Sequence, residues 1–410
     1  QRMAPDFWDW LVYRFHFDAI LLADKVGLVE SPRSSSSSGK AETWDRRAAR
    51  LSERLRSLAP TRDAGGRHTM EYADTALSLG NTLFHLGQLS EARPLFEGAA
   101  ELFKKEQADL GRAYALKALA DLENRLSDVE HARQLYHIAI EIFQTEHDDS
   151  GRASALQMLG DLERRLGNVE HARHLYDEAI GLYKNGQDDL GRANALKALG
   201  DLESLLGNVE RARSLYDDAI GLYKKEQSDL GRANTLRGLG DLESWIGNFE
   251  RARQLYGESI RLYEKEQVDL GRAAALVMMG ELENRLGNVE SARKFYEESK
   301  GLFEKEQDNL GLANALRAQG DWEAKVGNPA RAEMLYRQAL MLYQKEQNPG
   351  GMINTYLAMA LLIYTHGPQG EEQASALTWY NRAIAAARKT EVPYFIQEVE
   401  KAGRDLFRES

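Results

Sequence analysis

Seven glycines, Gly111, Gly151, Gly191, Gly231, Gly271, Gly311 and Gly351, stand in one column at a step of 40 residues. A chain that repeats at this interval does not build one central core. Each step is a small unit that buries its apolar face against the copies before and after it, and the result is a stack. The stretch from Gly191 to Leu230 matches the next, Gly231 to Leu270, at roughly two-thirds of its positions. This sets the 410 residues apart from a string of two or three unrelated domains.

Within one unit the signals alternate as two helices require. Ala195, Leu196, Leu199, Leu202 and Leu206 recur at helical spacing, and Asp189, with Asp229 and Asp269 in the neighbouring units, is placed to cap the start of that helix. Gly207 suits the left-handed turn at the helix end. Asn208 then reads as the N-cap of a second helix, which buries Ala212, Leu215, Tyr216, Ala219, Ile220 and Tyr223. The same punctuation follows Leu166, Leu286 and Val326. Alternation at period two and β-branched runs are missing, so no strand is expected.

The pattern Leu156, Leu159, Gly160, Ala172, Tyr176 and Ala179 resembles the tetratricopeptide repeat signature, with small residues where helices touch and an aromatic ring between them. The resemblance implies an all-α fold, a right-handed α-α superhelical solenoid of about eight units with capping helices at both ends. It also implies a non-enzymatic scaffold for a protein or peptide partner. Two features depart from the family: Glu123, Glu163, Glu203, Glu243, Glu283 and Glu323 stand where it has a tyrosine, and a Lys-Glu-Gln tail replaces the proline that ends its second helix. The longer unit is similar to that of kinesin light chains, cell-polarity adaptors and the sensor arms of NB-ARC signalling ATPases.

The boundaries read as an apolar helix in 1–30, a Ser-rich linker in 31–40, a basic amphipathic helix and loop in 41–69, the array in 70–390 and a capping helix in 391–410. The first helix, about Pro5 to Val26, carries Trp8, Leu11, Phe15 and Leu22 on one side and Trp10, Phe17 and Leu21 on another. It is expected to close the end of the stack, with docking on a partner as the alternative. Gln1 is not an initiator methionine, so the chain reads as an excerpt of something longer.

Composition narrows the function classes. A net charge of -11 argues against nucleic-acid binding, which draws on clustered Lys and Arg. No apolar run approaches the roughly 20 residues of a membrane helix, and without a signal segment the expected compartment is the cytoplasm. Absence of cysteine removes disulfides, thiolate zinc sites and cysteine nucleophiles. Gly39-Lys40 lacks the leading Gly and the following hydroxyl of a phosphate loop. His171 and His174, with His131 one unit earlier, are spaced to ligate a metal. Arg211, Arg251 and Ser291 hold the matching positions elsewhere and no carboxylate is evident to complete a set, so no metal and no cofactor are expected.

Two sets of charged columns remain. Nearly every repeated Glu has an Arg ten residues on, as Glu163 with Arg173, Glu203 with Arg213 and Glu243 with Arg253, which reads as a tie inside one unit. The seventh unit has Glu333 in place of the Arg, which leaves Glu323 to Lys325, to Arg331 or to water. The family resemblance puts the first helices on the inner wall. There Asn194, Asn234 and Asn314, then Lys117, Lys197, Arg237 and Arg317, then Asp121, Asp161, Asp201, Asp241 and Asp321 share one helix face and are the candidate peptide-binding residues. Lys-Asp pairing on a wet surface is the competing reading. The expected function is an adaptor that holds an extended or helical segment; the alternative is the ligand-sensing or autoinhibitory arm of a larger NB-ARC type ATPase.

Overall fold

The computed structural model describes residues 43–59, 62, 65–366, 372–390 and 393–407. The apolar helix expected near the start and the Ser-rich linker lie outside them. Among the described residues there are eighteen helices and no strand. Contacts divide the chain into two units at Thr235 and Leu236, inside one helix. The first unit holds α1 (Trp44–Leu58), α2 (Gly66–His85), α3 (Leu89–Lys105), α4 (Asp109–Arg125), α5 (Val129–Thr145), α6 (Asp149–Arg165), α7 (Val169–Asn185), α8 (Asp189–Leu205) and α9 (Val209–Lys225). Helix α10 (Asp229–Trp245) carries residues of both units. The second unit continues with α11 (Phe249–Lys265), α12 (Asp269–Arg285), α13 (Val289–Lys305), α14 (Asn309–Lys325), α15 (Pro329–Lys345), α16 (Pro349–His366), α17 (Glu372–Lys389) and α18 (Pro393–Phe407).

From α1 to α9 in the first unit and from α11 to α18 in the second, each helix packs on the next, first and second helices of a repeat most extensively. First helices of successive repeats also touch, α2 with α4, α4 with α6 and α6 with α8 in one unit, α12 with α14 and α14 with α16 in the other. They therefore form a continuous wall within each unit. α1 packs on α2 at one end, and α18 packs on α16 and α17 at the other, as capping helices should.

The glycine column has a steric cause. The aromatic ring near the end of each second helix lies against the third residue of the next first helix: Phe103 on Gly111, Phe143 on Gly151, Tyr183 on Gly191, Phe303 on Gly311. A Cβ at Gly111 would sit 2.7 Å from the Phe103 ring, closer than carbon atoms approach. A second column, Gly160, Gly200, Gly240 and Gly280, receives the tyrosine of its own repeat, with Tyr176 2.8 Å from a Cβ built on Gly160. The first contact joins repeats and the second closes a repeat. Around them the alanines at positions 92, 132, 172, 212, 252, 292 and 332 are fully buried and let the helix backbones approach.

The caps differ from expectation by one residue. Asp188 rather than Asp189 is the N-cap of α8, and its Oδ1 accepts from the Gly191 amide at 2.8 Å. Asp148 and Asp308 do the same for α6 and α14, whereas Val268 holds that place before α12. Asp189 and Asp269 sit in the first turn and pair with Lys225 and Lys305 at the ends of α9 and α13. Asn208 does precede the second helix, but its side chain does not cap it; the amide donates to Glu203 instead, at 2.6 Å.

Gly207 takes the left-handed conformation with φ 74°. The Lys-Glu-Gln tail does the same without a glycine: Gln107, Gln187, Gln227, Gln267, Gln307 and Gln347 all have φ between 51° and 57°. This lets the following amide reach back, as Ser228 N does to Tyr223 O at 2.9 Å, and ends the helix where the family uses proline. A side chain in this region costs about 1 kcal/mol, partly offset by the extra unfolded-state freedom of glycine. Gln227→Gly should therefore stabilise the protein by about 0.5 kcal/mol, and chemical denaturation of the two proteins side by side checks it.

Candidate functional site

The polar columns of the first helices run along the wall, where each Asp is held by its own repeat. Tyr216 of α9 donates to Asp201 Oδ1 at 2.8 Å, and the same bond joins Tyr136 to Asp121, Tyr176 to Asp161, Tyr256 to Asp241 and Tyr336 to Asp321, at 2.6 to 2.7 Å. These tyrosines are almost wholly buried. Burial first, and the facing carboxylate second, push the Tyr176 phenol well above its ordinary value of 10, so each remains a donor at any physiological pH. The second carboxylate oxygen takes the basic residue one turn earlier: Lys117 reaches Asp121 at 3.1 Å, Lys197 reaches Asp201 at 2.7 Å and Arg317 reaches Asp321 at 2.9 Å. Burial alone would lower the Arg317 pKa, but Asp321 and Tyr343 outweigh it and the guanidinium is held above its usual value. The Lys/Arg and Asp columns thus form a string of Tyr-Asp-cation units across the seam between first and second helices.

The Asn column has a packing partner too. Asn194 Oδ1 accepts from the Tyr223 hydroxyl, and Asn314 Oδ1 from Tyr343. These are the tyrosines that lie against Gly231 and Gly351. In the third repeat Ser154 occupies the Asn position opposite Tyr183, whose pKa burial pushes up to about 12. Where the ring is Phe103, Phe143 or Phe303, the residue 29 positions earlier is Asp74, Tyr114 or Ala274 rather than Asn or Ser. The recurrence of Asn therefore tracks a buried hydroxyl, a correlation legible in the sequence once that offset is tried. Asn194 and Asn314 remain only partly buried, as do Lys117, Lys197 and Arg317, whereas Asp201, Asp321 and Arg237 are buried. Tyr114 is the one large exposed aromatic on the first helices of the first unit among the described residues. Its hydroxyl donates to Asp148 at 2.6 Å, and burial together with that carboxylate raises its pKa to about 12.

The Glu column forms a second polar system, and it corrects the expected pairing. Glu203 is fully buried, and its partner is Arg173 of the preceding repeat, Nε to Oε1 2.8 Å, not Arg213 of its own. Arg133 binds Glu163 at 2.6 Å, Arg253 binds Glu283 at 2.7 Å and Arg93 binds Glu123 at 2.7 Å. Asn168, Asn208, Asn248, Asn288 and Asn328 donate to the same carboxylates. Arg211, Arg251 and Arg331 approach them from the next turn, at 3.3, 3.4 and 2.8 Å. In the seventh repeat Glu323 accordingly meets Arg331, one of the two partners expected, while Glu333 pairs with Arg337. The antiparallel turn leaves the Arg facing forward to the next repeat's first helix rather than back to its own. The sequence holds a signal for this: at an offset of 30 every Glu of the column has an Arg, and Glu333 is matched by Ile363. At an offset of ten Arg93 would meet Leu83.

No helix among the described residues is long and apolar enough to cross a membrane. No curated protein matches the sequence. Solved structures share the fold. A Rap protein complexed with competence and sporulation factor is 12% identical with a TM-score of 0.57, covering 84% of this chain and 98% of its own. Aspartyl phosphate phosphatase F from Bacillus subtilis is 12% identical with a TM-score of 0.58, over 89% of this chain and 93% of its own. A signal transduction ATPase with numerous domains and a tetratricopeptide repeat sensor, from Pyrococcus horikoshii, is 14% identical with a TM-score of 0.60. The match covers 90% of this chain and 56% of the ATPase. The tetratricopeptide repeat model matches residues 71–144, 111–185, 153–225, 191–265 and 271–345. With its glycine and alanine columns where helices touch and a buried tyrosine closing each repeat, the chain belongs to the tetratricopeptide repeat family.

Proposed function

We propose that the protein is a non-enzymatic scaffold whose first-helix wall holds an extended or helical segment of another protein, read by Asn194, Asn234 and Asn314, by Lys117, Lys197, Arg237 and Arg317, and by Asp121, Asp161, Asp201, Asp241 and Asp321. The observation that carries this is the continuity of the wall within each unit, with polar side chains fixed in place by buried tyrosines. Groups locked before a ligand arrives lose little freedom on binding. Asn194 and Asn314 spend their oxygens on tyrosine, so the part left to read a peptide is the Nδ2 donor, which would meet backbone carbonyls. The Asp residues are bonded to tyrosine, and Asp121, Asp201 and Asp321 also to Lys or Arg, so their part in reading the segment is chiefly to aim those cations. A segment with acidic side chains at spaced positions fits best.

The second reading is the ligand-sensing arm of a larger NB-ARC type signalling ATPase, working inside the cell. The likeness to the Pyrococcus horikoshii sensor over most of this chain favours it. Both readings use the same wall and differ in what lies beyond it.

Ser154 supplies a clean test, because the third repeat already carries serine at the Asn position opposite Tyr183, and serine keeps a hydroxyl there while deleting the amide. A peptide selected from a random display library on the intact chain should lose about tenfold or more in affinity, 1.4 kcal/mol, to the Asn194→Ser, Asn314→Ser variant. The melting temperature should stay within a degree or two of the parent. Unchanged peptide affinity would remove these residues from the binding face, and failure to select any peptide on the wall would sink the scaffold reading.

A further inference from the structure

The second repeat breaks the Glu column's pattern at two positions, one of which, Asp128, also caps α5 by accepting from the His131 amide at 3.3 Å. Elsewhere the buried carboxylate receives an Asn amide five residues on and, in most repeats, an Arg or His eight residues on. Here Asp128 replaces the Asn, and His131 stands at the Arg position. The donor is gone and a second carboxylate takes its place. Glu123 is fully buried; Arg93 satisfies Oε2 at 2.7 Å, but Oε1 has no hydrogen-bond partner and faces His131 Nδ1 at 3.9 Å. One ligand atom from each of Glu123, Asp128 and His131 lies within 4.8 Å of the others. An orphaned carboxylate oxygen in a dry position is costly, so a group that fills the gap is favoured.

We propose that Glu123, Asp128 and His131 bind a divalent cation of the zinc class. The donor set is one imidazole and two carboxylates, which suits borderline first-row ions and disfavours calcium, whose sites are all oxygen. Ligands held at ~2.1 Å around a tetrahedral ion lie about 3.4 Å apart, so the three atoms close in by roughly an ångström. Asp128 is exposed and His131 half-exposed; Asp128 Oδ1 accepts from the His131 amide, which leaves Oδ2 for an ion, while Glu123 is fixed by Arg93. The ion supplies in one group the donor that Asn and the charge that Arg bring in other repeats, and Arg93 keeps the second oxygen of Glu123. Water completes the coordination. The site ties the turn at Ser127, whose φ is 67° where other repeats have glycine, to the buried end of α4.

The third repeat is an internal control. Glu163 and His171 repeat the geometry with Nδ1 to Oε2 3.8 Å, but Asn168 stands in place of Asp128 and Glu163 is satisfied by Arg133 and Asn168. The test is calorimetric titration of Zn2+ into the full chain freed of any affinity tag, with Co2+ absorption as a second probe. Asp128→Asn and His131→Arg each install the residue that other repeats carry, so both fold. Each should lower Zn2+ affinity at the strongest site by at least about tenfold and remove the rise in melting temperature that Zn2+ gives the parent. His171→Arg should change neither. A parent chain that binds no Zn2+, or variants that bind it as the parent does, would overturn the site.

Discussion

Replacing Arg173 with alanine should cost about 2 to 3 kcal/mol, although the residue belongs to the third repeat and its carboxylate partner to the fourth. Glu203 would remain buried at an ionised state with only Asn208 at 2.6 Å and Arg211 at 3.3 Å to hold it. Glu203→Ala should cost a similar amount, because Arg173 keeps Glu170 but loses its two bonds to Glu203. The decisive measurement is a double-mutant cycle by chemical denaturation. Arg173→Ala with Glu203→Ala should show a coupling of about 1 to 2 kcal/mol, and Arg213→Ala with Glu203→Ala should be additive to within ~0.5 kcal/mol. The reverse result would restore pairing inside the repeat. The pH dependence has a definite sign. Burial pushes the Glu203 carboxyl up, but hydrogen bonds from Arg173 and Asn208 and the charges of Arg211 and Arg173 more than offset this, and its pKa ends below the ordinary 4.5. Glu163 behaves alike. A carboxyl lowered in the folded state adds stability that is fully present above 4.5 and is lost as pH falls through the folded value. The penalty of Glu203→Gln should therefore shrink in acid below that pH.

Gly191→Ala should cost about 1 to 3 kcal/mol, while Gly200→Ala, nine residues later in the same helix, should be nearly neutral. A Cβ at Gly191 falls well inside contact distance of the Tyr183 ring, a side chain almost entirely buried between two repeats. The ring cannot move without giving up its seat against α8. At Gly200 the nearest Tyr216 atoms are 3.0 Å away, and the second repeat already carries Ala120 at that position beside Tyr136. The small steric cost there is set against a helix-propensity gain of about 1 kcal/mol. Thermal melts of the two variants check the contrast. Equal effects would mean that the 40-residue column marks backbone conformation rather than ring packing.

The repeat period, the helix pairs, the glycine turns and the family were legible because each is written in a local pattern copied many times. One noisy signal became a column, and the column at Gly207 or Tyr216 needs only its own neighbourhood to be read. Local reading also explains the small errors. Asp188 and Asp189 are both acceptable caps by type, and only the backbone decides which one precedes the first helical residue. Asn208 is a fair N-cap by type, but a buried carboxylate within 2.6 Å is a better acceptor for its amide than any donor in the first turn is a partner for its oxygen.

What tertiary structure decided is which of two regularly recurring partners a side chain meets. Along one chain Arg213 and Arg173 are both within reach of Glu203 on paper; the stacking of repeats places Arg173 against it. The packing of the two helices inside each repeat gave Asn194 a tyrosine and set Asp201 between Tyr216 and Lys197. It also assembled Glu123, Asp128 and His131, since the first lies at the end of one helix and the others at the start of the next. Sequence fixes the period and the faces of each helix by local geometry. The partners of buried charges depend on a turn and a crossing angle between helices, and those are set only when the whole stack excludes water from around them.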